Sequence, residues 1–137
     1  MRIGLISDTH GLLRPEALDA LKGVALILHA GDVGPEEVLE QLAAMAEVRV
    51  VRGNMDRGVW SRGLPATDAV QVEGKNIYML HDLNKLDLDP DAADIKVVVH
   101  GHTHMPAVEH MGRALVVNPG SAGPRRPNKP VSVGILE

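Results

Sequence analysis

Short apolar runs and segments of helical period alternate through the first third of the chain, and this alternation limits the available folds more than any other feature. Arg2–Ile6 is an apolar run that ends at Ser7-Asp8. Pro15–Lys22 places Ala17, Leu18 and Leu21 at helical spacing, with Pro15 suited to a first turn. Val24–Leu28 is a second apolar run, followed by Gly31-Asp32. Pro35–Met45 sets Val38, Leu39, Leu42 and Met45 on one helical face. Glu36 and Glu37 lie in its first turn, where the helix dipole favours them. Glu47–Val51 is a third strand, followed by Gly53-Asn54. Strand, helix, strand, helix, strand predicts a parallel sheet with right-handed crossovers.

The second half changes style. Ala69–Glu73 and Asn76–Leu80 flank Gly74-Lys75 and predict a hairpin. Ile95–Val99 is a β-branched strand. Ala107–His110 and Ala114–Val117 flank Gly112-Arg113 and predict another hairpin, and Val131–Leu136 reads as a last strand. Gly120–Pro130, rich in Pro, Gly and Arg, reads as a loop. No internal repeat or low-complexity tract interrupts the pattern.

A length of 137 residues predicts one domain, spanning residues 1–137, that needs no disulfide staple. The chain has no cysteine, which excludes disulfides, a cysteine nucleophile and sulfur-ligated metals. Any metal must sit among nitrogen and oxygen donors. With no Phe, one Trp and one Tyr, the core must be aliphatic, and base-stacking platforms for single-stranded nucleic acid are almost excluded. A net charge of −4 argues further against a nucleic-acid partner. No apolar run approaches membrane-spanning length, so no membrane partner is expected. The strand-like start carries no signal-peptide layout, and a cytoplasmic location is expected.

The polar residues that stand out recur just past the ends of apolar strands. Asp8 and His10 follow the first strand, Asp32 the second and Asn54 the third. His81 follows Tyr78-Met79-Leu80, and His102 and His104 follow Val97-Val98-Val99. Sites in open α/β sheets lie beyond the carboxyl ends of the strands, so these seven side chains should surround one cleft. Imidazole and carboxylate suit borderline and hard divalent metals. One ion does not need seven donors; two ions roughly 3.5–4 Å apart, as in phosphoester hydrolases, do. Taken singly the pieces are weak. Asp32 reads equally as a helix cap, Asn54 as a turn residue and His81 as structural. Gly101-His102-Thr103-His104 is stronger, because alternating histidines after a β-branched strand rarely serve a turn alone.

Together these motifs resemble the calcineurin-like metallophosphoesterase family. They read Asp8-Thr-His10, Gly31-Asp32, Gly53-Asn54-Met-Asp56, His81 and Gly101-His102-Thr-His104 across nearly the whole chain. The short length and Asn118-Pro119-Gly120-Ser121 look like the small prokaryotic phosphodiesterase branch. The resemblance implies an α/β fold, a four-layer α/β/β/α sandwich of two mixed β-sheets flanked by helices. It implies two divalent metal ions, manganese foremost, with nickel, cobalt, zinc or iron as alternatives. Asp8, His10 and His104 would hold one metal, Asn54, His81 and His102 the other, and Asp32 would bridge both. Asp32, Asn54 and His81 are the expected catalytic residues. A hydroxide shared by the metals would attack phosphorus in line, with the metals neutralising charge on the phosphoryl oxygens.

The chain departs from the family pattern twice. Many relatives carry a His between the Asn and the acid of the third motif, where this chain has Met55. Many have Gly after the lone His, where it has Asp82. Among the other candidates, Asp56 is expected to orient a ligand, and His29 to orient one or simply be buried. His100 and His110 are expected to face away from the site or lie on the surface. Arg125, Arg126 and Lys129 read as a solvated basic loop, or as groups reaching a substrate phosphate.

The function expected is phosphodiester hydrolysis of a small-molecule or nucleotide-derived phosphate ester. The alternatives are a non-catalytic scaffold, as in one retromer subunit with this fold, and a nuclease. All seven donors are present, and a scaffold is free to lose them. Homo-oligomer formation is left open by the sequence.

Overall fold

Nine strands form two mixed sheets that face each other across an aliphatic core, and the loops at one end carry every candidate donor. The computed structural model describes residues 1–137. The first sheet contains β1 (Ile3–Ile6), β2 (Leu26–His29), β3 (Glu47–Val50) and β9 (Gly134–Leu136), in the order β3-β2-β1-β9. β1, β2 and β3 are parallel, and β9 runs antiparallel to β1. The second contains β4 (Thr67–Val72), β5 (Lys75–Leu80), β6 (Ile95–Val99), β7 (Ala107–Met111) and β8 (Ala114–Asn118), in the order β4-β5-β6-β8-β7. Its central strands β5, β6 and β8 are parallel, and its edge pairs are antiparallel hairpins.

Strand alternation sorts the side chains between layers. Ile3, Leu5, Leu26 and Leu28 point inward and meet Ile77, Met79, Val99 and Val117 of the other sheet. Ile6 and Ile27 point outward, where Leu21, Val38 and Leu42 cover them. Those covering residues come from or adjoin α1 (Pro15–Ala20) and α2 (Glu37–Ala43).

The α/β sandwich is the one expected, with three local differences. The layer over the second sheet is built without an α-helix. A 3₁₀ turn, Leu83–Lys85, and the apolar side chains Leu83, Leu86 and Leu88 cover Leu80, Ile95, Val98 and Val116 instead. The intervening sequence is rich in Asp and holds Pro90, and its aspartates bond their own backbone, as Asp89 Oδ1 does to the Asp91 N–H at 3.1 Å. The first hairpin turns at Glu73-Gly74, one residue early, with φ of 51° and 79°, the pair of positive values that a two-residue turn of matching twist needs. The last strand begins at Gly134. Val131 bridges Ser121, and Ser132 bonds Pro119 and Ser121, so the segment before Gly134 pairs with the loop rather than with β1. No helix is long and apolar enough to cross a membrane.

Candidate metal centre

All seven candidate donors converge. Asp8 and His10 follow β1, Asp32 follows β2, Asn54 follows β3, His81 follows β5, and His102 and His104 follow β6. Asp8 is completely buried and sits at the middle. Its Oδ1 lies 3.7 Å from His10 Nε2, 3.5 Å from His104 Nε2 and 3.9 Å from His81 Nε2. Asp32 Oδ2 lies 3.7 Å from His10 Nε2 and 3.2 Å from His81 Nε2. Asn54 Oδ1 lies 2.9 Å from His81 Nε2 and 3.2 Å from His102 Nδ1. One donor atom each from Asp8, His10 and His104 falls within 4.8 Å of the others, and Asp8, Asp32 and His81 form a second such group. Asp8 is thus more central than the resemblance implies, since it belongs to both.

Backbone N–H groups and the Ser7 hydroxyl occupy one oxygen of each carboxylate and leave the other to the histidines. Asp8 Oδ2 accepts from Ser7 Oγ at 2.8 Å and from the His102 N–H at 3.1 Å. Asp32 Oδ1 accepts from the Met55 N–H at 2.8 Å. The remaining oxygens, Asp8 Oδ1 and Asp32 Oδ2, face the histidines. Asp8 Oδ1 and His10 Nε2 are buried with no hydrogen-bond partner, an arrangement that costs free energy unless a cation joins them. His81 makes the same point. Its Nδ1 lies 2.8 Å from the Ala30 carbonyl, which fixes Nδ1 as the donor and turns Nε2 towards three oxygens. Only a proton or a metal satisfies a ring nitrogen so placed. An all N/O donor set of this kind fits divalent cations.

The protein's own electrostatics agree. Burial works against ionisation of Asp32. The His81 hydrogen bond, the Met55 N–H and the nearby His81 and His10 charges outweigh it and hold the carboxyl below its ordinary value. Burial likewise works against charging His81, but Asp32 and the Ala30 carbonyl prevail and raise its pKa. His104 is lowered, chiefly by burial, which overcomes the pull of Asp8.

The backbone is strained where the donors sit. Asp8, His10, Asp32, His102 and His104 have φ of 57°, 45°, 56°, 73° and 65°, in the left-handed region that costs free energy for residues other than glycine. Two glycines permit the crowding. A Cβ on Gly53 would overlap Asp32, and one on Gly101 would overlap the Ser7 hydroxyl.

Buried polar side chains hold these loops. Asp56 accepts from the Asp32, Val33 and Gly53 N–H groups at 3.0, 2.8 and 2.9 Å, and from Gly34 at 3.4 Å, and so ties the second donor loop to the third. His29 is completely buried and does not reach the donors. Its Nδ1 accepts from the Gly31 N–H at 3.1 Å, its Nε2 donates to Thr9 Oγ1 at 3.1 Å, and Thr9 donates to the Val33 carbonyl at 2.6 Å. Burial, reinforced by the nearby His81, lowers its pKa from 6.5 to about 3. Asn118 Nδ2 donates to the Gly101 carbonyl at 3.1 Å and to Thr103 Oγ1 at 2.9 Å, and Ser121 Oγ donates to the Asp8 carbonyl at 3.3 Å. The sequence marks Asn118-Pro119-Gly120-Ser121 as a motif, but nothing in it assigns Asn118, Ser121, Ser7 or Thr9 these partners.

The other candidates separate. Lys129 Nζ donates to the Thr103 carbonyl at 2.7 Å and so docks the basic loop on the histidine motif. Arg125 and Arg126 are exposed on that loop. His100 is buried, its pKa lowered by burial, and His110 is exposed. The Met55 side chain is 54% exposed at the rim.

Comparison with known proteins places this geometry. The model of the calcineurin-like phosphoesterase superfamily domain matches residues 1–137. The chain is 36% identical over 145 residues to a probable metallophosphoesterase of Methanocaldococcus jannaschii, covering 96% of this chain and 73% of the relative. It is 31% identical to phosphodiesterase YfcE of Escherichia coli, covering 100% and 88% of the two chains. The YfcE structure superposes with a TM-score of 0.77 at 28% identity, again covering 100% and 88%. A single mutant of Vps29 of Entamoeba histolytica superposes with a TM-score of 0.83 at 27% identity, covering 100% and 86%.

Proposed function

Because the chain belongs to the calcineurin-like phosphoesterase superfamily, we propose that it is a dinuclear metal-dependent phosphodiesterase. The observation that carries the reading is the pair of carboxylate oxygens, Asp8 Oδ1 and Asp32 Oδ2, facing three imidazoles, those of His10, His81 and His104, within 3.9 Å. Asp8, His10 and His104 would hold one divalent cation, and Asn54, His81 and His102 the other. Asp32 Oδ2, shared between His10 and His81, would bridge them. Manganese is the first candidate, then nickel, cobalt, zinc or iron. Such a pair supplies a nucleophile from water and neutralises charge at phosphorus.

The chain's own residues do the rest. Asp56, Ser7 and Asn118 keep the donors in place before substrate arrives, which is where most of the advantage of a fixed polar site lies. The Ala30 carbonyl fixes the ring of His81, leaving Nε2 for the site. Met55 stands at the rim and has no proton to give a departing oxygen. That favours substrates whose leaving group is stable without protonation. A monoester dianion would also bring an added negative charge towards Asp8, Asp32 and Asp56. Diesters, small or nucleotide-derived, are therefore the proposed substrates over monoesters.

The likeness to Vps29 favours a second reading, a protein-interaction module. The complete donor set supports the enzyme. A nuclease is the weaker alternative, given the net charge of −4 and the scarcity of aromatic side chains. The test is hydrolysis of aryl and nucleotide monoesters and diesters by protein stripped with a chelator and reloaded with Mn, Ni, Co, Zn or Mg. Activity on diesters that vanishes on stripping and returns on reloading is expected. Metal-loaded protein that hydrolyses none of them would favour the interaction module.

A further inference from the structure

A cleft of about 370 Å³ opens beside one end of the donor cluster. Asn54, His81 and His102 line it, together with Arg52, Asp82 and Lys85. Its only apolar lining is Ala66 and Leu80. Pockets for apolar ligands are lined mainly by hydrophobic side chains, so this one is built for a polar or charged occupant.

The cations in it are free. Of the 14 lysines and arginines, Arg2, Lys22, Arg49 and Lys96 reach a carboxylate, and Arg52 and Lys85 are among the ten that form no ion pair. That holds although Asp82 lines the same cleft. Its Oδ1 accepts the Asn84 N–H at 3.0 Å and caps the 3₁₀ turn Leu83–Lys85, the turn that carries Lys85. Asp82 thus sets the turn that carries Lys85. Arg52 is set by its own N–H, which bonds the Pro65 carbonyl at 2.8 Å, and it stands two residues before Asn54. Two cations kept unpaired on an acidic protein, beside the reactive cluster, mark a place for a negative charge.

We propose that this cleft is a subsite for a second anionic group on the substrate. The inference rests on the phosphodiesterase reading and narrows it to phosphodiesters with one ester arm ending in a phosphate, sulfonate or carboxylate. The scissile phosphorus lies at Asp8 and Asp32, and the second anion lies against Arg52 and Lys85.

Calorimetric titration of the metal-loaded protein with propylphosphonate and with 3-sulfopropylphosphonate reads the subsite directly. The two differ only by a terminal sulfonate, itself a poor metal ligand. The sulfonate compound should bind about tenfold more tightly at low salt, the weight of two exposed charge contacts. The advantage should shrink in 1 M salt, where the Debye length is about 3 Å. Combined Arg52→Gln and Lys85→Gln substitution should bring the ratio close to one, and Arg52→Lys should keep part of it. Both side chains are exposed, so the variants should melt like the wild type. Equal affinities in the wild type, an unchanged ratio in the double variant, or binding of neither compound would overturn the subsite. A sulfonate advantage without hydrolysis of any ester keeps the subsite and removes the phosphodiesterase reading. Hydrolysis without a sulfonate advantage does the reverse.

Discussion

Removing the carboxylate of Asp56 should loosen both the fold and the metal site, and the magnitude follows from its partners. Oδ2 accepts the N–H groups of Asp32 and Gly53, and Oδ1 accepts that of Val33, all within 3.0 Å. The fourth bond, from Gly34 at 3.4 Å, is weak. In Asp56→Ala three buried donors lose a charged acceptor. An unsatisfied buried donor costs about 1–3 kcal/mol, and water entering the gap recovers part of that. A loss of about 3–5 kcal/mol is expected. That is a large share of the 5–15 kcal/mol typical of a folded domain.

Asp56→Asn sharpens the test. Either orientation of the amide turns an NH₂ group towards backbone N–H groups, because both carboxylate oxygens are in use. The asparagine variant should therefore lie within about 1 kcal/mol of the alanine variant, although it differs from aspartate by one atom. Urea unfolding with an unchanged slope gives the stabilities. Metal affinity, titrated on the same proteins, should fall roughly 10–100-fold, because the backbone that carries Asp32 is no longer held. An asparagine variant within about 0.5 kcal/mol of wild type, a change usual for inconsequential surface positions, would refute the argument. It would mean that the loops keep their form without a charged acceptor.

Three further outcomes are expected. Asp32→Ala should lower metal at both positions, and His102→Ala and His104→Ala each mainly at one; elemental analysis of the purified proteins checks this, and a full complement in Asp32→Ala would remove the bridge. His29 is buried neutral, with its pKa moved from 6.5 to about 3, so below about pH 6.5 the unfolded chain takes a proton that the folded chain refuses. Stability should therefore fall with pH by up to roughly 1.4 kcal/mol per unit between pH 6 and 4 from this group, and His29→Gln should flatten the slope of urea stability in metal-stripped protein. Met55→His should speed hydrolysis of substrates with poor leaving groups more than of those with good ones, by up to about 10²–10⁴-fold. Equal sensitivity to leaving-group pKa in both proteins would show that position 55 does not address the leaving oxygen.

The parts of this site that the sequence reveals are those written locally. Asp8, Asp32, Asn54, His81 and His102 each follow an apolar or alternating run, and the return to Gly and polar residues marks where such a run ends. Most of the first sheet follows from the same signal, because β1 and β2 are buried on both faces and read as continuous apolar stretches. The exposed layer over the second sheet lacks that signal. Leu83 and Leu86 are spaced as on a helix face but Leu88 is not, and neighbouring aspartates bond the backbone and favour turns.

What holds the donors is written at long range. Ser121 reaches the Asp8 carbonyl from 113 residues away, and Asp56 gathers N–H groups from a loop more than 20 residues earlier. No periodicity or spacing encodes such bonds, since the acceptors and donors are backbone groups common to every residue. The strain is hidden for a related reason. Glycine is the usual sign of a left-handed backbone, yet here Asp8, His10, Asp32, His102 and His104 adopt it themselves. The chemistry demands a carboxylate or imidazole at those positions, so the conformational cost must be offset by the surrounding bonds of Ser7, Asp56 and Asn118. A substitution at Asp56 therefore acts on the donors through their backbone, although its own side chain lies outside the cluster.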